Sequence, residues 1–133
     1  MKTTVVIVAG GRGKRMGNDM PKQFLKLNDM PVIVLTMLRF YNYDNNIKII
    51  LALPANEIKT WEDIKSQIMN VPPHIIVEGG EERFFSVKNA LARVEPGEIV
   101  AIHDGVRPFV SAETISRCFD KAKHCGAAIP VVA

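Results

Sequence analysis

Hydrophobic residues along the chain fall into two alternating patterns. In the first pattern, short runs of β-branched and aliphatic residues are bounded by glycine, proline or polar residues, as expected of strands buried on both faces of a parallel sheet. The run at residues 4–9, TVVIVA, is the clearest example. This pattern predicts strands at residues 4–9, 47–53, 75–77 and 99–103, and the beginning of a fifth strand at residues 127–132.

In the second pattern, apolar residues return every three or four positions, the spacing of a helix with one buried face. It predicts helices at residues 31–40, from 56 to between 67 and 69, at 84–94 and from 111 to about 124. Asn56 and Ser111 are suited to cap helix N-termini, and Gly126 stands just beyond the last helix. Strands that alternate with helices imply crossover connections, so we expect an α/β fold with a mostly parallel sheet and helices on both faces.

Three polar, glycine-containing segments each begin where a predicted strand ends. They are the first loop (residues 9–16, AGGRGKRM), the second loop (residues 78–83, EGGEER) and the third loop (residues 103–108, HDGVRP). Ligands of open parallel sheets bind outside the carboxyl ends of the strands. We therefore expect the three loops to meet at that edge of the sheet, which we call the rim.

The first loop has the composition of a polyphosphate site. Gly10, Gly11 and Gly13 allow phosphates to approach main-chain amides, and five cations stand close by against one anion. These cations are Arg12, Lys14, Arg15, Lys22 and Lys26. Neither a P-loop nor the dinucleotide fingerprint fits the segment, since Met16 replaces the last glycine of the latter. A glycine-rich turn alone is equally compatible with a structural turn, and the cations favour the polyphosphate.

The second loop also contains two consecutive glycines. Gly79 and Gly80 bring backbone amides close to a ligand, and Ser86 lies in the first turn of the next predicted helix, where its hydroxyl is free to bond. The alternative is a structural strand-to-helix turn with a capping serine.

The third loop contains a candidate metal ligand. The Asp104 carboxylate stands at the end of a predicted strand and points to Mg²⁺ at a phosphate site, although Arg107 could simply pair with it. We expect His103 to be a packed strand-end residue rather than a catalytic base.

Composition restricts the function classes further. The 133 residues, 47% hydrophobic and 23% charged, suffice for one globular domain, and no apolar run approaches the roughly 18 residues that span a bilayer. We expect no signal peptide, because glycines interrupt the apolar N-terminal segment too early. Cys118 and Cys125 are expected to be free thiols of a cytoplasmic protein. The net charge of +3 would suit nucleic acid, but no aromatic residues are interleaved with the cations, so we expect neither a nucleic-acid nor a membrane partner.

The three loops, with PKQF at residues 21–24 after the first, together resemble one enzyme family. AGGRGKRM, EGGEERFFSV and HDGVRPF, in this order and spacing, resemble the 2-C-methyl-D-erythritol 4-phosphate cytidylyltransferases of non-mevalonate isoprenoid biosynthesis. The resemblance covers essentially the whole chain. It implies a Rossmann-like nucleotidyltransferase fold, a homodimer, and the transfer of a cytidylyl group from CTP to a sugar-alcohol phosphate with Mg²⁺ or another divalent cation.

The resemblance also implies roles for individual residues. Arg15 and Lys22 would stabilise the pentavalent transition state, Ser86 would help to hold the cytidine, and Asp104 would face the metal. The main chain around the first two loops would receive the base, and the third loop would line the ribose. The implied nucleotide-binding residues are Ala9, Gly10, Gly11, Arg12, Gly13, Gly79, Gly80, Glu81, Ser86, Asp104, Gly105 and Arg107.

The chain differs from the family pattern in two respects. Gly105 and Val106 stand where a pair of alanines is common, a change of bulk that leaves the chemistry intact. Family members are also longer, and this chain ends within the predicted fifth strand. We expect the absent part to hold the dimerising β-arm and the cations for the acceptor's phosphate, so that these 133 residues alone bind CTP weakly and turn nothing over. A ribitol-5-phosphate cytidylyltransferase and a CTP-binding unit without turnover are the alternatives.

Overall fold

A computed structural model describes residues 2–9 and 20–130 of the chain. Strands and helices alternate along most of this length, as the hydrophobic pattern predicts. The elements are β1 (Thr3–Val8), a 3₁₀ turn (Lys22–Phe24), β2 (Lys26–Leu27), β3 (Met30–Pro31), α1 (Val32–Tyr43), β4 (Lys48–Pro54), α2 (Ala55–Lys65), β5 (Ile75–Gly79), α3 (Arg83–Leu91), β6 (Ile99–Asp104) and α4 (Ala112–Cys125).

The main sheet of the described residues is parallel, with the strand order β5-β4-β1-β6. β1 lies inside the sheet and every one of its six residues is buried, which explains its continuous β-branched run. Successive residues of β1 face opposite sides. Val5 and Ile7 belong to a core shared with α1, α2 and α4, whereas Val6 and Val8 pack with α3 residues on the other face. The predicted α/β class with helices on both faces is therefore confirmed.

The strand order changes direction at β1. From β1 the chain adds β4 and then β5 on one side, and it returns through α3 to place β6 on the other side of β1. In open α/β sheets such a reversal leaves a crevice between the carboxyl ends of the two strands on either side of it, here β1 and β6, and ligands bind in that crevice. The sequence alone predicts the rim but not this point on it.

Two helix N-termini behave differently from each other. The prediction for α4 is confirmed, because the Ser111 side chain accepts a hydrogen bond from the Thr114 amide and Gly126, with φ of 89°, follows the helix. The prediction for α2 is wrong. Pro54, with φ of −56°, takes the N-cap position, so the helix starts directly after β4 and Asn56 lies inside its first turn without capping it.

Helix ends are displaced by a few residues from those predicted. α1 continues to Tyr43, three residues beyond the predicted end, whereas α2 stops at Lys65 and α3 at Leu91, short of theirs. Near the end of the predicted second helix, Asn70 has a φ of 63°, which a continuing helix does not allow.

Two further differences concern strands. A short antiparallel hairpin, β2–β3, was not predicted; its turn is formed by Asn28 and Asp29, which have φ of 53° and 65°. Both residue types tolerate this left-handed conformation. Of the predicted fifth strand, residues 127–130 are irregular because they pair with none of the described strands, and the remainder lies outside the described residues. No helix in the described ranges combines the length and apolar character needed to cross a membrane.

Candidate functional site

Ala9, the first residue of the first loop, lies against Gly105 of the third loop where the strand order reverses. The Gly105 amide donates to the Val8 carbonyl over 2.8 Å, and the Ala9 amide donates to the Ala52 carbonyl over 3.0 Å. A Cβ atom at Gly105 would lie only 3.1 Å from the Ala9 Cβ and 3.3 Å from the Val8 carbonyl oxygen. The small residues at these two positions therefore let the end of β1 and the third loop approach closely.

Side chains of α1 hold the third loop in place. The buried Thr36 hydroxyl donates to the Gly105 carbonyl over 2.9 Å, and the Arg39 Nε donates to the Pro108 carbonyl over 2.7 Å. Because side chains of a packed helix donate to both of these backbone acceptors, the loop is anchored on that helix rather than supported only at its ends.

His103 packs as expected of a strand-end residue. Its ring lies with its edge against Phe40, with ring centroids 5.0 Å apart, and its Nε2 is 2.9 Å from the Arg107 carbonyl oxygen. A carbonyl oxygen can only accept, so Nε2 carries the proton and donates. The imidazole thus supports the third loop.

Asp104 joins the second and third loops. One carboxylate oxygen accepts from the Arg83 guanidinium, and the other accepts from the Arg107 Nε over 3.1 Å. Partial burial alone would raise the pKa of the Asp104 carboxyl, but the hydrogen bonds and charges of Arg83 and then Arg107 outweigh it and hold this pKa below its usual value. The carboxylate is therefore charged at neutral pH and flanked by two fixed cations.

Arg83 is the residue of this cluster that the sequence analysis did not single out. It lies within the second loop's motif, but β5 and β6 are at opposite edges of the sheet. The contact exists because α3 packs across β5, β4 and β1, which places Arg83, its first residue, beside Asp104. The pairing of Arg107 with Asp104, the alternative to a metal ligand, is observed.

The second loop is tightly closed on the start of α3. Ser86 is 3% exposed, and its hydroxyl oxygen accepts from the Gly80 amide over 3.2 Å, so this oxygen bonds within the loop rather than standing free. It is not a helix cap either, since Glu82 takes that position without a side-chain bond. A Cβ at Gly79 would lie 2.8 Å from the Ser86 Oγ, and one at Gly80 would lie 2.2 Å from the Phe85 Cβ. Close approach, rather than backbone angle, requires both glycines.

Lys22 is presented by a docked turn. Pro21, Gln23 and Phe24 are buried, and Lys22 between them is exposed. Phe24 stacks on Trp61 of α2, with centroids 6.0 Å apart and planes 9° from parallel. The lysine therefore extends from a fixed base.

Part of the predicted site lies outside the described residues, namely Gly10, Gly11, Arg12, Gly13 and Arg15. Of the remaining predicted residues, the structure brings Ala9 together with Gly105, Gly79 and Gly80 with Ser86, and Asp104 with Arg107. Glu81 is exposed on the second loop.

Beside the crevice between β1 and β6, the described loop residues offer Mg²⁺ the carboxylate of Asp104, at the end of β6. They contain no group of three or more histidine, cysteine, aspartate or glutamate side chains placed to hold a metal ion. Mg²⁺ in nucleotide enzymes typically takes one or two carboxylates and completes its shell with phosphate oxygens and water. Asp104 alone fits a metal that arrives on a triphosphate and not a metal held by protein ligands only.

A second concavity lies away from these loops. An open groove of about 530 Å³ is formed by α4 and residues 128–130, and none of the predicted site residues lines it.

Comparisons with known proteins identify the same family that the three loop motifs resemble. Residues 3–133 match the family described as IspD, 2-C-methyl-D-erythritol 4-phosphate cytidylyltransferase. The curated protein of that name from Bacteroides thetaiotaomicron is 47% identical over 132 residues, covering 99% of this chain and 60% of the relative. The one from Porphyromonas gingivalis is 46% identical over 129 residues, covering 97% of this chain and 57% of the relative. The chain thus spans less than two thirds of the length of these relatives.

Solved structures share the fold. The 4-diphosphocytidyl-2C-methyl-D-erythritol synthase of Anaerococcus prevotii superposes with a TM-score of 0.71 at 22% identity, covering 92% of this chain and 51% of that one. The bifunctional IspDF of Campylobacter jejuni gives a TM-score of 0.74 at 23% identity, covering 93% of this chain and 31% of that one.

Proposed function

The chain belongs to the 2-C-methyl-D-erythritol 4-phosphate cytidylyltransferase family, and from this premise we propose that it supplies the CTP-binding and cytidylyl-transfer site for the conversion of methylerythritol phosphate to CDP-methylerythritol and pyrophosphate. The observation that carries the proposal is the match over residues 3–133, which includes all three loops.

Cytidylyl transfer requires that the negative charge of the phosphates is neutralised and that the two substrates are positioned for attack. The acceptor's own phosphate oxygen attacks the α-phosphorus of CTP, the bond from that phosphorus to the bridging oxygen breaks, and pyrophosphate leaves with the electron pair. Negative charge grows on the non-bridging and leaving oxygens, so fixed cations lower the barrier. Lys22 and Arg15 take this role, and Lys22 is supported by its exposed place on a buried turn.

The nucleotide occupies the crevice between β1 and β6. The close Ala9–Gly105 approach leaves main-chain groups at its floor, and the closed turn at Gly79 and Gly80 presents more of them. A donor and an acceptor of the main chain suffice to select cytosine, because a pocket of pyrimidine size excludes purines. The Arg83–Asp104–Arg107 cluster faces the sugar and phosphates with net positive charge.

Mg²⁺ fits this site as a companion of the triphosphate, neutralising phosphate charge when bound, with Asp104 as its protein ligand. We also propose a homodimer in the cytoplasm, as the family resemblance implies. Because the dimerising β-arm is expected in the part of the relatives' length that this chain does not span, the dimer is tested by light scattering after gel filtration of a protein of the relatives' length. A monomer of that longer protein at all concentrations would exclude the dimer.

Nucleotide selectivity tests the proposal on the chain itself. With Mg²⁺ present, CTP is expected to raise the melting temperature more than equal concentrations of ATP or GTP. Lys22→Ala is expected to weaken CTP binding about tenfold and, where turnover is measured, to lower kcat by about 100-fold. Lys59→Ala, which removes the same charge from an exposed position of α2, is the control and should match the unmodified chain. Equal shifts for all three nucleotides would exclude a cytidylyl site.

The acceptor is tested by pyrophosphate release from CTP. In a protein of the relatives' length, methylerythritol phosphate should support this release and ribitol 5-phosphate should not. Pyrophosphate release with ribitol 5-phosphate but not with methylerythritol phosphate would show that ribitol 5-phosphate is the acceptor. Selective CTP binding without release with either acceptor would indicate a nucleotide-binding unit without turnover.

A further inference from the structure

The turn that presents Lys22 is bound to α2 by a buried polar contact. The Gln23 Nε2 donates to the Glu57 Oε1 over 2.5 Å, between residues that are 3% and 8% exposed. A hydrogen bond to a carboxylate is shorter and stronger than one between neutral groups, and in a buried setting its loss leaves polar groups poorly solvated. This contact joins segments 34 residues apart.

A second contact makes the attachment directional. Phe24, the next residue of the turn, stacks on Trp61, one helical turn beyond Glu57 on the same face of α2. Two consecutive residues of the turn therefore contact two positions about 6 Å apart along the helix. The apolar stack supplies burial, and the amide–carboxylate bond fixes the rotation of the turn about that stack.

The position of Glu57 relates this attachment to the rim. α2 begins directly after Pro54, the last residue of β4, so Glu57 in its first turn lies at the carboxyl end of the strand beside β1. Negative charge is also favourable there, near the helix N-terminus. With Pro21, Gln23 and Phe24 buried against the protein, Lys22 is left as the exposed residue of the turn.

We propose that Glu57 is a positioning residue: by holding the Gln23 amide it fixes the turn of residues 21–24 at the rim, so that the Lys22 ammonium meets the triphosphate without first having to be ordered. The inference rests on the proposed role of Lys22. A cation held in place in advance loses less conformational freedom on binding, which increases its effect on affinity and on the transition state.

A double-mutant cycle separates positioning from general stabilisation. Glu57→Ala is expected to weaken Mg²⁺–CTP binding about tenfold in the otherwise unmodified chain, and by less than about twofold in the Lys22→Ala background. A merely structural Glu57 would weaken binding equally in both backgrounds, and this result would overturn the proposal. Glu57→Gln, which keeps an acceptor for Gln23, should restore most of the affinity. Glu62→Ala, which removes an exposed glutamate of the same helix, should leave it unchanged.

Backbone NMR tests the turn without any ligand. The order parameter of the Lys22 amide is expected to fall from about 0.85 to below about 0.6 in Glu57→Ala and to stay high in Glu57→Gln. An unchanged value in Glu57→Ala would overturn the proposal. If the turn loosens as expected but the unmodified chain does not select CTP, the proposed function fails while the positioning of the turn stands.

If Glu57→Ala does not fold, a second pair of variants tests the same contact through the order of the turn. The exchange Gln23→Glu with Glu57→Gln restores the bond with its partners reversed, whereas Gln23→Glu alone places two carboxylates together. The exchange should keep the turn ordered and the single change should loosen it; equal order in both would overturn the proposal.

Discussion

Single residues at the rim are constrained by what they touch more than by their type. The Asp104 carboxylate, for example, pairs with Arg83 at the start of α3 and with Arg107 in the third loop, and it thereby links these two segments. Gly80 is a glycine without a left-handed φ, yet the Phe85 Cβ leaves no space for a side chain. Trp61 similarly links the Lys22 turn to His74, because its Nε1 donates to the His74 Nε2 over 3.1 Å.

The steric constraint at Gly80 predicts the effect of one methyl group. Gly80→Ala would place a Cβ 2.2 Å from that of Phe85, so α3 has to shift. We expect the free energy of unfolding to fall by about 1 to 3 kcal/mol and the CTP-induced rise in melting temperature to shrink. Gly97→Ala is the comparison: with φ of 89° and open space around it, it should destabilise by about 1 kcal/mol and leave the CTP effect intact. Unfolding curves of Gly80→Ala that coincide with those of the unmodified chain would contradict the clash.

The burial and hydrogen bonds of His74 predict that the free energy of unfolding depends on pH. Trp61 Nε1 can only donate, so His74 Nε2 accepts and Nδ1 donates to the Pro72 carbonyl over 2.8 Å. Burial lowers the pKa of His74 and nearby Lys65 adds to this, against opposing effects of the Pro72 carbonyl and of Glu62. The unfolded chain therefore binds a proton at a higher pH than the folded chain, and stability falls as pH drops below about 6.5 until it passes the lower folded pKa.

Urea unfolding, followed by the fluorescence of Trp61, the single tryptophan, measures this effect. Between about pH 8 and about pH 5 the loss of stability should be smaller in His74→Gln than in the unmodified chain. Equal losses would assign the pH dependence to other groups.

At the scale of elements, each helix start depends on local chemistry. α2 follows a proline and needs no cap, whereas α4 begins at Ser111, whose side chain accepts from the Thr114 amide over 3.1 Å. The sequence signals for both are strong, but only the second is a capping signal.

The Ser111 cap predicts a pair of outcomes. Ser111→Ala is expected to lower the free energy of unfolding by about 1 kcal/mol, because the Thr114 amide loses its acceptor and alanine is disfavoured at an N-cap. Ser111→Gly removes the same acceptor, but glycine is itself favoured at an N-cap, so this change should cost only a few tenths of a kcal/mol. Chemical denaturation of the two variants side by side measures the difference. An alanine variant as stable as the unmodified chain would show that the cap contributes nothing.

At the scale of the whole molecule, the two ends of the sheet differ. The rim presents exposed cations and loops, while the opposite end is closed around Glu98, whose side chain is 3% exposed. Its carboxylate accepts from the Thr4 hydroxyl and the Glu95 amide, each over 3.1 Å, and lies 3.8 Å from the Lys48 Nζ. This network connects β1, β4 and the approach to β6 far from the ligand crevice.

Removing one partner of that network should destabilise the protein without touching the site. Lys48→Met leaves the buried carboxylate without its cation and is expected to lower the free energy of unfolding by about 2 to 3 kcal/mol. Adding Glu98→Gln should recover part of the loss, because the remaining buried group is then neutral. Denaturation curves measure both, with CTP selectivity as the control that should not change. A double variant less stable than Lys48→Met would contradict the ion-pair explanation.

The sequence by itself determined the elements that depend on near neighbours. β-Branched runs indicated the four strands of the main sheet, the three-to-four spacing indicated the helices, and Ser111 with Gly126 marked the limits of α4. Since parallel strands place their carboxyl ends at one edge, the sequence also predicted that the second and third loops meet, as Arg83 and Asp104 do. The three motifs were specific enough to indicate the family.

Only the tertiary structure decided which distant residues touch. The strand order put β6 beside β1 and thereby located the crevice, and α3, crossing the sheet, brought Arg83 to Asp104. The Gln23–Glu57 contact likewise depends on how the turn docks on α2. Hydrophobic periodicity reports which face of an element is buried but not which element covers it, because that choice is made by the packing of all elements together.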